Sequence, residues 1–342
     1  MALNNKHATL KDIAEVLMVS KVTVSKALRD HPDIGLETKN KVKEVARKIG
    51  YMPNLMARNL SSRKSTTIGL IVPKIAHHFF SDVIEAIYQK AYECNYDIIL
   101  TVSQENPENE AKHIETLLSM HVDAILVSVT QFTKSIKSFT IVKSRNVPLV
   151  FFDRVIEQNQ FSTISSDDEE GAYNGVKKMI DNGVRKIAHF SGYGYTSIGN
   201  GRLKGFMRAM HEANLDVKED WILEGGFSVQ DGYDSFKKLQ QTGKMPEMIF
   251  TVTYPVALGA LKAARETGVK IPGDLELFSF GGADYLSLFS PSIPYIAQPA
   301  RELGVQAFKL VYEEALAPYS RPAKHMKIAT SLVFSNSLIM NQ

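Results

Sequence analysis

The chain has 342 residues, 44% of them hydrophobic, which suffices for a large packed core and makes two or three domains the default expectation. No apolar run is long enough to span a bilayer, and Met1 to Thr9 is polar without a signal-peptide stretch, so a cytoplasmic protein is expected. A lone cysteine, Cys94, excludes an intrachain disulfide and reads as a packed thiol in a helical pattern beside Ala91 and Tyr92.

The net charge of +3 conceals an asymmetry. Residues 1–64 hold thirteen Lys/Arg against six Asp/Glu, and the remainder holds twenty-seven against thirty-one. A small basic head on a mildly acidic body suggests a polyanion-binding module joined to a second domain.

In the head, Thr9-Leu10-Lys11-Asp12 has the form of a capping box: Thr9 accepts from the amide three residues on, and Asp12 reaches back. Ile13, Ala14, Val16 and Leu17 supply an apolar face that ends near Met18. Ser20 caps a second short helix patterned on Val22, Val24, Ala27 and Leu28. A third helix is expected over about Leu36 to Ile49, closed by Gly50. Two short helices joined by a tight turn make a helix-turn-helix, in which the start of the second helix meets base edges. Lys21 and Lys26 can donate to guanine or phosphate, and Val22 can pack on a thymine methyl. Thr23, Ser25 and the first-turn amides suit phosphate.

Beyond Pro53, Asn54 to Leu60 is too short to be a stable helix alone, and Ser61 to Thr66 reads as a polar linker. From Ile68 apolar strands alternate with amphipathic helices. Strands are expected at Ile68–Val72, Asp97–Val102, Ala124–Val129 and Leu149–Phe152, then at Lys186–Ser191, Trp221–Glu224, Met248–Thr253 and Glu276–Gly281. Helices fall between them, the second set at Gly171–Asn182, Arg202–Ala213, Ser228–Thr242 and Val256–Thr267. The pattern is that of an α/β protein with parallel sheets in two similar halves. Ligands in open α/β sheets bind beyond the carboxyl ends of the strands, here between the halves. Phe79, Phe80, Asp153, Arg202, Phe227 and Tyr254 are candidates for that cleft. No Gly-x-Ser-x-Gly elbow, Walker loop or metal-spaced Cys/His cluster is present, so no catalysis, cofactor or metal is expected. His77-His78 reads as a loop pair. A free-standing small-molecule carrier would fit the body alone, and an enzyme would share its layers, but the basic head argues against both.

The residues Thr9-Leu10-Lys11-Asp12-Ile13-Ala14, Val19 to Leu28, Lys41-Val42 and Gly50-Tyr51-Met52-Pro53-Asn54 closely resemble the headpiece of the LacI/GalR repressor family. The resemblance continues through Asp153-Arg154, Gly205-Phe206, Ala257-Leu258-Gly259 and Gln298-Pro299. It implies an all-α helix-turn-helix headpiece (1–52), a hinge helix and linker (53–65) and a two-lobed periplasmic-binding-protein-like body (66–342). The first lobe is expected over about 66–162 and 293–327, the second over 163–292 and 328–342, with three crossings between them. The resemblance implies a homodimeric repressor that binds double-stranded operator DNA and a small-molecule effector, a sugar or sugar derivative. It adds Thr9, Arg29, Tyr51 and Asn54 to the DNA-binding set, makes Leu60 a minor-groove wedge with Arg58 beside it, and makes Arg202 an effector-gripping arginine and Phe227 its stacking aromatic. Three departures stand out: Met18 where the turn often has glycine, Thr253-Tyr254 where an acid or amide is usual, and Gly281-Gly282-Ala283-Asp284, which keeps only Asp284 of two carboxylates. The absence of a heptad tail at Ser337 to Gln342 favours a dimer.

Overall fold

The computed structural model describes residues 8–52, 65–156, 160–282, 292–318 and 322–334. The chain divides into two compact units, Met1–Ser65 and Thr66–Gln342.

In the first unit α1 (Leu10–Leu17), α2 (Lys21–Leu28) and α3 (Leu36–Lys48) enclose a core of Ile13, Ala14, Val24, Ala27, Val42 and Ala46. The capping box is present: the Thr9 amide donates to Asp12 Oδ2 at 2.7 Å, and the Asp12 amide to Thr9 Oγ1 at 3.4 Å. Ser20 caps α2 by accepting from the Thr23 amide at 3.0 Å. Met18 takes the left-handed conformation at φ 52°, and the Val19 amide then closes on the Ala14 carbonyl at 3.0 Å. That backbone favours glycine, and its strain falls on a side chain that packs on little, since Met18 is 93% exposed. Gly50, also left-handed, ends α3 as expected.

The second unit holds two six-stranded sheets. The first contains β1 (Thr67–Val72), β2 (Asp97–Val102), β3 (Ala124–Val127), β4 (Leu149–Phe152), β5 (Ser162–Ser166) and β11 (His325–Ile328), in the order β2-β1-β3-β4-β5-β11, all parallel. The second contains β6 (Ile187–Ser191), β7 (Ile222–Glu224), β8 (Met248–Thr251), β9 (Glu276–Phe280), β10 (Tyr295–Ala297) and β12 (Ser331–Val333), in the order β7-β6-β8-β9-β10-β12, with only β12 antiparallel. Near-continuous burial of β1, β3, β4, β6 and β8 is what a parallel strand covered on both faces requires.

The helices covering the first sheet are α4 (His78–Glu93), α5 (Pro107–Ser119), α6 (Lys137–Ser144) and α11 (Ala300–Leu316). Those on the second are α7 (Asp168–Asp181), α8 (Ser197–Glu212), α9 (Val229–Gln241) and α10 (Tyr254–Glu266). The chain crosses between sheets three times: after β5, after β10 and after β11. Two lobe limits differ from expectation. Residues 163–166 complete β5 in the first sheet, and residues 295–297 form β10 in the second, so the return to the first lobe begins with α11 rather than near Ile293. In both cases a short strand finishes its own sheet's edge before the chain leaves. Among the described residues no helix is long and apolar enough to cross a membrane.

Helices α9 and α10 pack backbone to backbone. A Cβ on Gly232 would enter the Val256 carbonyl, and one on Gly259 the Val229 carbonyl. Alanine would gain roughly 1 kcal/mol of helix propensity at Gly259 but overpack by about 1–3 kcal/mol, with rigid backbone as the obstacle. Gly259→Ala is therefore expected to lower the thermal midpoint of the body; a raised midpoint would show that the two helices can part at no cost.

Candidate DNA-binding surface and interlobe cleft

On the head, the acids are committed away from the start of α2. Lys11 pairs with Glu15 at 3.4 Å, Lys41 with Glu37 at 2.7 Å, Lys43 with Asp30 at 2.7 Å and Lys48 with Glu44 at 2.8 Å. Lys21 is exposed, with no ion-pair partner among the described residues, and Val22 beside it is 65% exposed. An apolar side chain held in water next to a free cation at a helix N-terminus is a surface fit for a groove that offers phosphates and thymine methyls. Thr9 and Ser20 are exposed but occupied as caps, and Thr23 and Ser25 are half-buried on α2. Lys26 is held by Asp33 at 2.8 Å, and Arg29 folds back on its own helix, donating to the Ser25 carbonyl and hydroxyl at 3.1 Å each. Tyr51 packs at the edge of the head's core. Asn54, Arg58 and Leu60 lie outside the described residues.

In the body the carboxyl ends of the two sheets face one another. Asp153 and Arg154 follow β4 and are almost fully buried. Asp153 holds a left-handed backbone at φ 58°, and Ser128 Oγ donates to it at 3.4 Å. Burial pushes its carboxyl up to about 6 against the pull of the Arg154 charge, while Asp168 raises it further and Arg202 lowers it. Arg154 donates to both Glu105 oxygens at 2.8 and 2.9 Å, and its guanidinium lies 4.9 Å over the Phe227 ring of the second lobe. Glu105 also accepts the Gln131 amide at 2.8 Å.

Arg202 is 1% exposed. Its Nε and Nη2 reach one oxygen of Asp168 at 2.8 and 2.7 Å, Nη1 donates to the Val252 carbonyl at 2.5 Å, and the plane lies 3.8 Å over Phe280. The arginine expected to grip an effector is thus occupied within its own lobe by Asp168. Arg202 is close enough to Asp153 for its charge to act on that carboxyl, Phe227 meets Arg154, and Tyr254, at the start of α10, packs on the cluster that contains Phe227.

Phe79 and Phe80 belong to the first lobe's core and, like Asp153, Arg202, Phe227 and Tyr254, are not among the residues that line the open cleft. They sit on the inner face of α4, 9% and 4% exposed, in one core with Val83, Ile84 and Ile87. His77 and His78 are the cap and first residue of that helix rather than loop residues; His77 is pushed down to about 4, mainly by burial, then by the charges of Arg154, Lys74 and Arg202. Asp284 lies outside the described residues. No group of metal-binding side chains occurs among them.

The open part of the interface is a cleft of about 480 Å³. Its hydroxyls are those of Thr130, Thr133, Ser165, Ser166, Tyr195, Thr196 and Ser197. Contacts across it are few: the Val155 amide donates to Ser197 Oγ at 3.0 Å, Lys134 sits 4.3 Å over Tyr195, and Phe132 meets Tyr193 at 5.9 Å. The sequence reading missed Asp168 and the whole hydroxyl-bearing start of α8. The sequence offers Asp153 as a cleft candidate and Arg154 only within the family marker Asp153-Arg154, although adjacent opposite charges directly after an apolar strand are themselves a site signal.

Comparison with known proteins decides the family. Residues 65–332 match the periplasmic binding proteins and sugar binding domain of the LacI family, and residues 9–54 match the bacterial regulatory proteins of the lacI family. The chain belongs to the LacI family. It is a DNA-binding transcription repressor with a ligand-binding domain. Among its relatives, Catabolite control protein A of Priestia megaterium is 31% identical over 89% of this chain and 92% of its own. The HTH-type transcriptional repressor PurR of Vibrio campbellii is 32% identical over 90% and 91%. The fold is that of the lac repressor dimer bound to operator and the anti-inducer ONPF, with TM-score 0.83 and 22% identity over 96% and 98%. These LacI-family relatives are transcription regulators, not enzymes.

One buried acid of the first lobe yields a pH test. Glu110 on α5 is fully buried and accepts the Thr130 amide and the Thr133 hydroxyl at 2.8 Å each. Burial pushes it from 4.5 up to about 7, with Glu105 adding and the two hydrogen bonds opposing. Because the folded value is the higher one, the folded state binds more protons between 4.5 and about 7, so stability falls as pH rises through that window. Glu110→Gln keeps an acceptor and cannot ionise. Its thermal midpoint, followed against pH, is expected to fall less steeply over that window than that of the parent; parallel curves would show that Glu110 carries no such proton.

Proposed function

We propose that the protein is a homodimeric, sequence-specific repressor that binds double-stranded operator DNA through α2, with operator affinity governed by a small molecule, a carbohydrate or sugar derivative, between the lobes. The observation that carries the reading is the start of α2, where Lys21 and Val22 stand exposed while the head's acids neutralise other lysines. In this reading Thr9, Ser20, Thr23 and Ser25 position the helix on phosphates, Lys21, Val22 and Lys26 meet base edges or phosphate, and Arg29 and Tyr51 support the backbone contact. Asn54 joins the DNA contacts, Arg58 serves phosphates or the groove, and Leu60 is the minor-groove wedge. The dimer and the operator are supported by the lac repressor structure, which is a dimer on its operator. A carbohydrate effector is supported by the match to a sugar-binding domain and by a related regulator, CelR, solved with cellobiose.

The test is selection of duplexes from a random pool, followed by operator affinity with and without each carbohydrate found to raise the thermal midpoint. Failure to enrich any sequence would sink the DNA reading. An enriched operator whose affinity no carbohydrate changes would sink the effector assignment alone.

Lys26 gives a sharper prediction. Asp33 holds it, and a phosphate must displace that carboxylate. Asp33→Asn is expected to strengthen operator binding several-fold at low salt, with the gain shrinking as salt screens it, whereas Lys21→Ala weakens binding and reduces the salt slope by roughly one. Weaker binding by Asp33→Asn would mean that the carboxylate positions Lys26 rather than competing for it.

A further inference from the structure

We infer that the ligand of the interlobe cleft carries an anionic group, a phosphate or carboxylate, seated at its hinge end among Ser166, Lys204 and Lys327. The inference rests on the cleft being the effector site. Its carriers are charge, adjacency and one orphaned hydroxyl.

Four cations line the cleft, Lys134, Arg154, Lys204 and Lys327, against two acids, Asp168 and Glu169. Asp168 is engaged with Arg202 at 2.7 Å, and Glu169 has only a long contact to Arg208, 3.7 Å, whose close partner is Glu170 at 2.7 Å. Arg154 is matched by Glu105, and Lys327 has only a long contact to Asp167, 3.6 Å. Lys134 and Lys204 have no carboxylate partner among the described residues, so the cleft lining keeps a positive excess there.

Ser166, Lys204 and Lys327 all line the one cleft. Lys327 stands beside Ser165 in the pairing of β11 with β5, and Ser166 follows at the strand's end. At Gly201, α8 comes within 3.2 Å of the Asp168 Cβ, as measured from where a Cβ would stand, and Lys204 lies one turn further on that face. Ser166, a lining residue, is 2% exposed, and its Oγ is buried with no hydrogen-bond partner. Nε of Arg154, another lining residue, is likewise buried and unpartnered. Unsatisfied donors are uncommon in a folded interior, and donors beside unpaired lysines are complemented by an acceptor with negative charge. A phosphorylated sugar and a nucleotide offer the same group.

The experiment titrates the full-length protein with inorganic phosphate against chloride at matched ionic strength, following the thermal midpoint. Parent protein and Lys21→Ala are expected to show a midpoint that climbs with the logarithm of phosphate concentration. The exposed-residue variants Lys204→Ala and Lys327→Ala are expected to lose most of that climb. A parent midpoint that follows ionic strength alone overturns the inference, as does a climb lost in Lys21→Ala and kept in Lys204→Ala, which would put the anion on the head. Glucose 6-phosphate, adenosine monophosphate and glucose then separate the sources. Binding by a phosphorylated compound that Lys204→Ala weakens at least tenfold supports the anionic seat. Glucose bound as well as glucose 6-phosphate and unaffected by Lys204→Ala overturns it while leaving the effector reading intact.

Discussion

Everything around the cleft is arranged on one buried guanidinium. Arg202 ties the start of α7 to α8 through Asp168, reaches the loop after β8 through the Val252 carbonyl and covers the Phe280 ring. A charge that deep is tolerable only because most of its donors are met and its flat face rests on an aromatic ring, arrangements a lysine could not reproduce. Removing Asp168 would leave the cation buried and alone, the costliest way to break such a pair. An effector that takes Arg202 has to replace Asp168 or share it, so an acceptor matching a carboxylate competes best. That requirement and the lysine excess at the hinge end point to the same ligand chemistry by separate routes.

Much of this was legible in the residues. The capping box at Thr9, the Ser20 cap and the Gly50 stop are local features that depend on three or four neighbours, and they appear where the pattern put them. The strands of the two sheets' interiors are apolar runs because both faces are covered. What escaped was set by tertiary context. Ser162-Thr163-Ile164-Ser165-Ser166 carries one large apolar residue, yet it forms β5 because β4 and β11 supply its ladder. The short β10, β11 and β12 lie next to chain crossings and have no periodicity to read.

The start of α8 was concealed by glycine. Ser197-Ile198-Gly199-Asn200-Gly201 reads as loop on propensity, and the expected helix began at Arg202. In the structure Gly199 approaches the Tyr193 carbonyl, Gly201 approaches Asp168 and Gly205 the Glu169 carbonyl, so helix propensity gives way to close packing of α8 on α7 and on its own entry loop. Phe79 and Phe80 show the opposite effect. Aromatic residues just past a strand look like ligand contacts, but with Val83, Ile84 and Ile87 they complete the helical stripe that α4 buries.

The lobes are joined by interactions of modest strength. Among the described residues, one amide–hydroxyl hydrogen bond, two cation–aromatic contacts and one tilted aromatic pair run across the cleft. Terms of these kinds contribute about 0.5–1.5 kcal/mol each. Their sum is a few kcal/mol, the same order as the roughly 1–3 kcal/mol by which a ligand commonly couples two states. A ligand shifts such an equilibrium only by its differential affinity for the two arrangements. Lys134, Arg154 and Phe227 are therefore the places where that difference can arise, because each already bridges the lobes: an anion that draws Lys134 off Tyr195, or a ring that takes the place of Arg154 over Phe227, changes the closure energy directly. Arg202, locked within one lobe, can report the ligand's presence but cannot by itself bias how the two lobes meet.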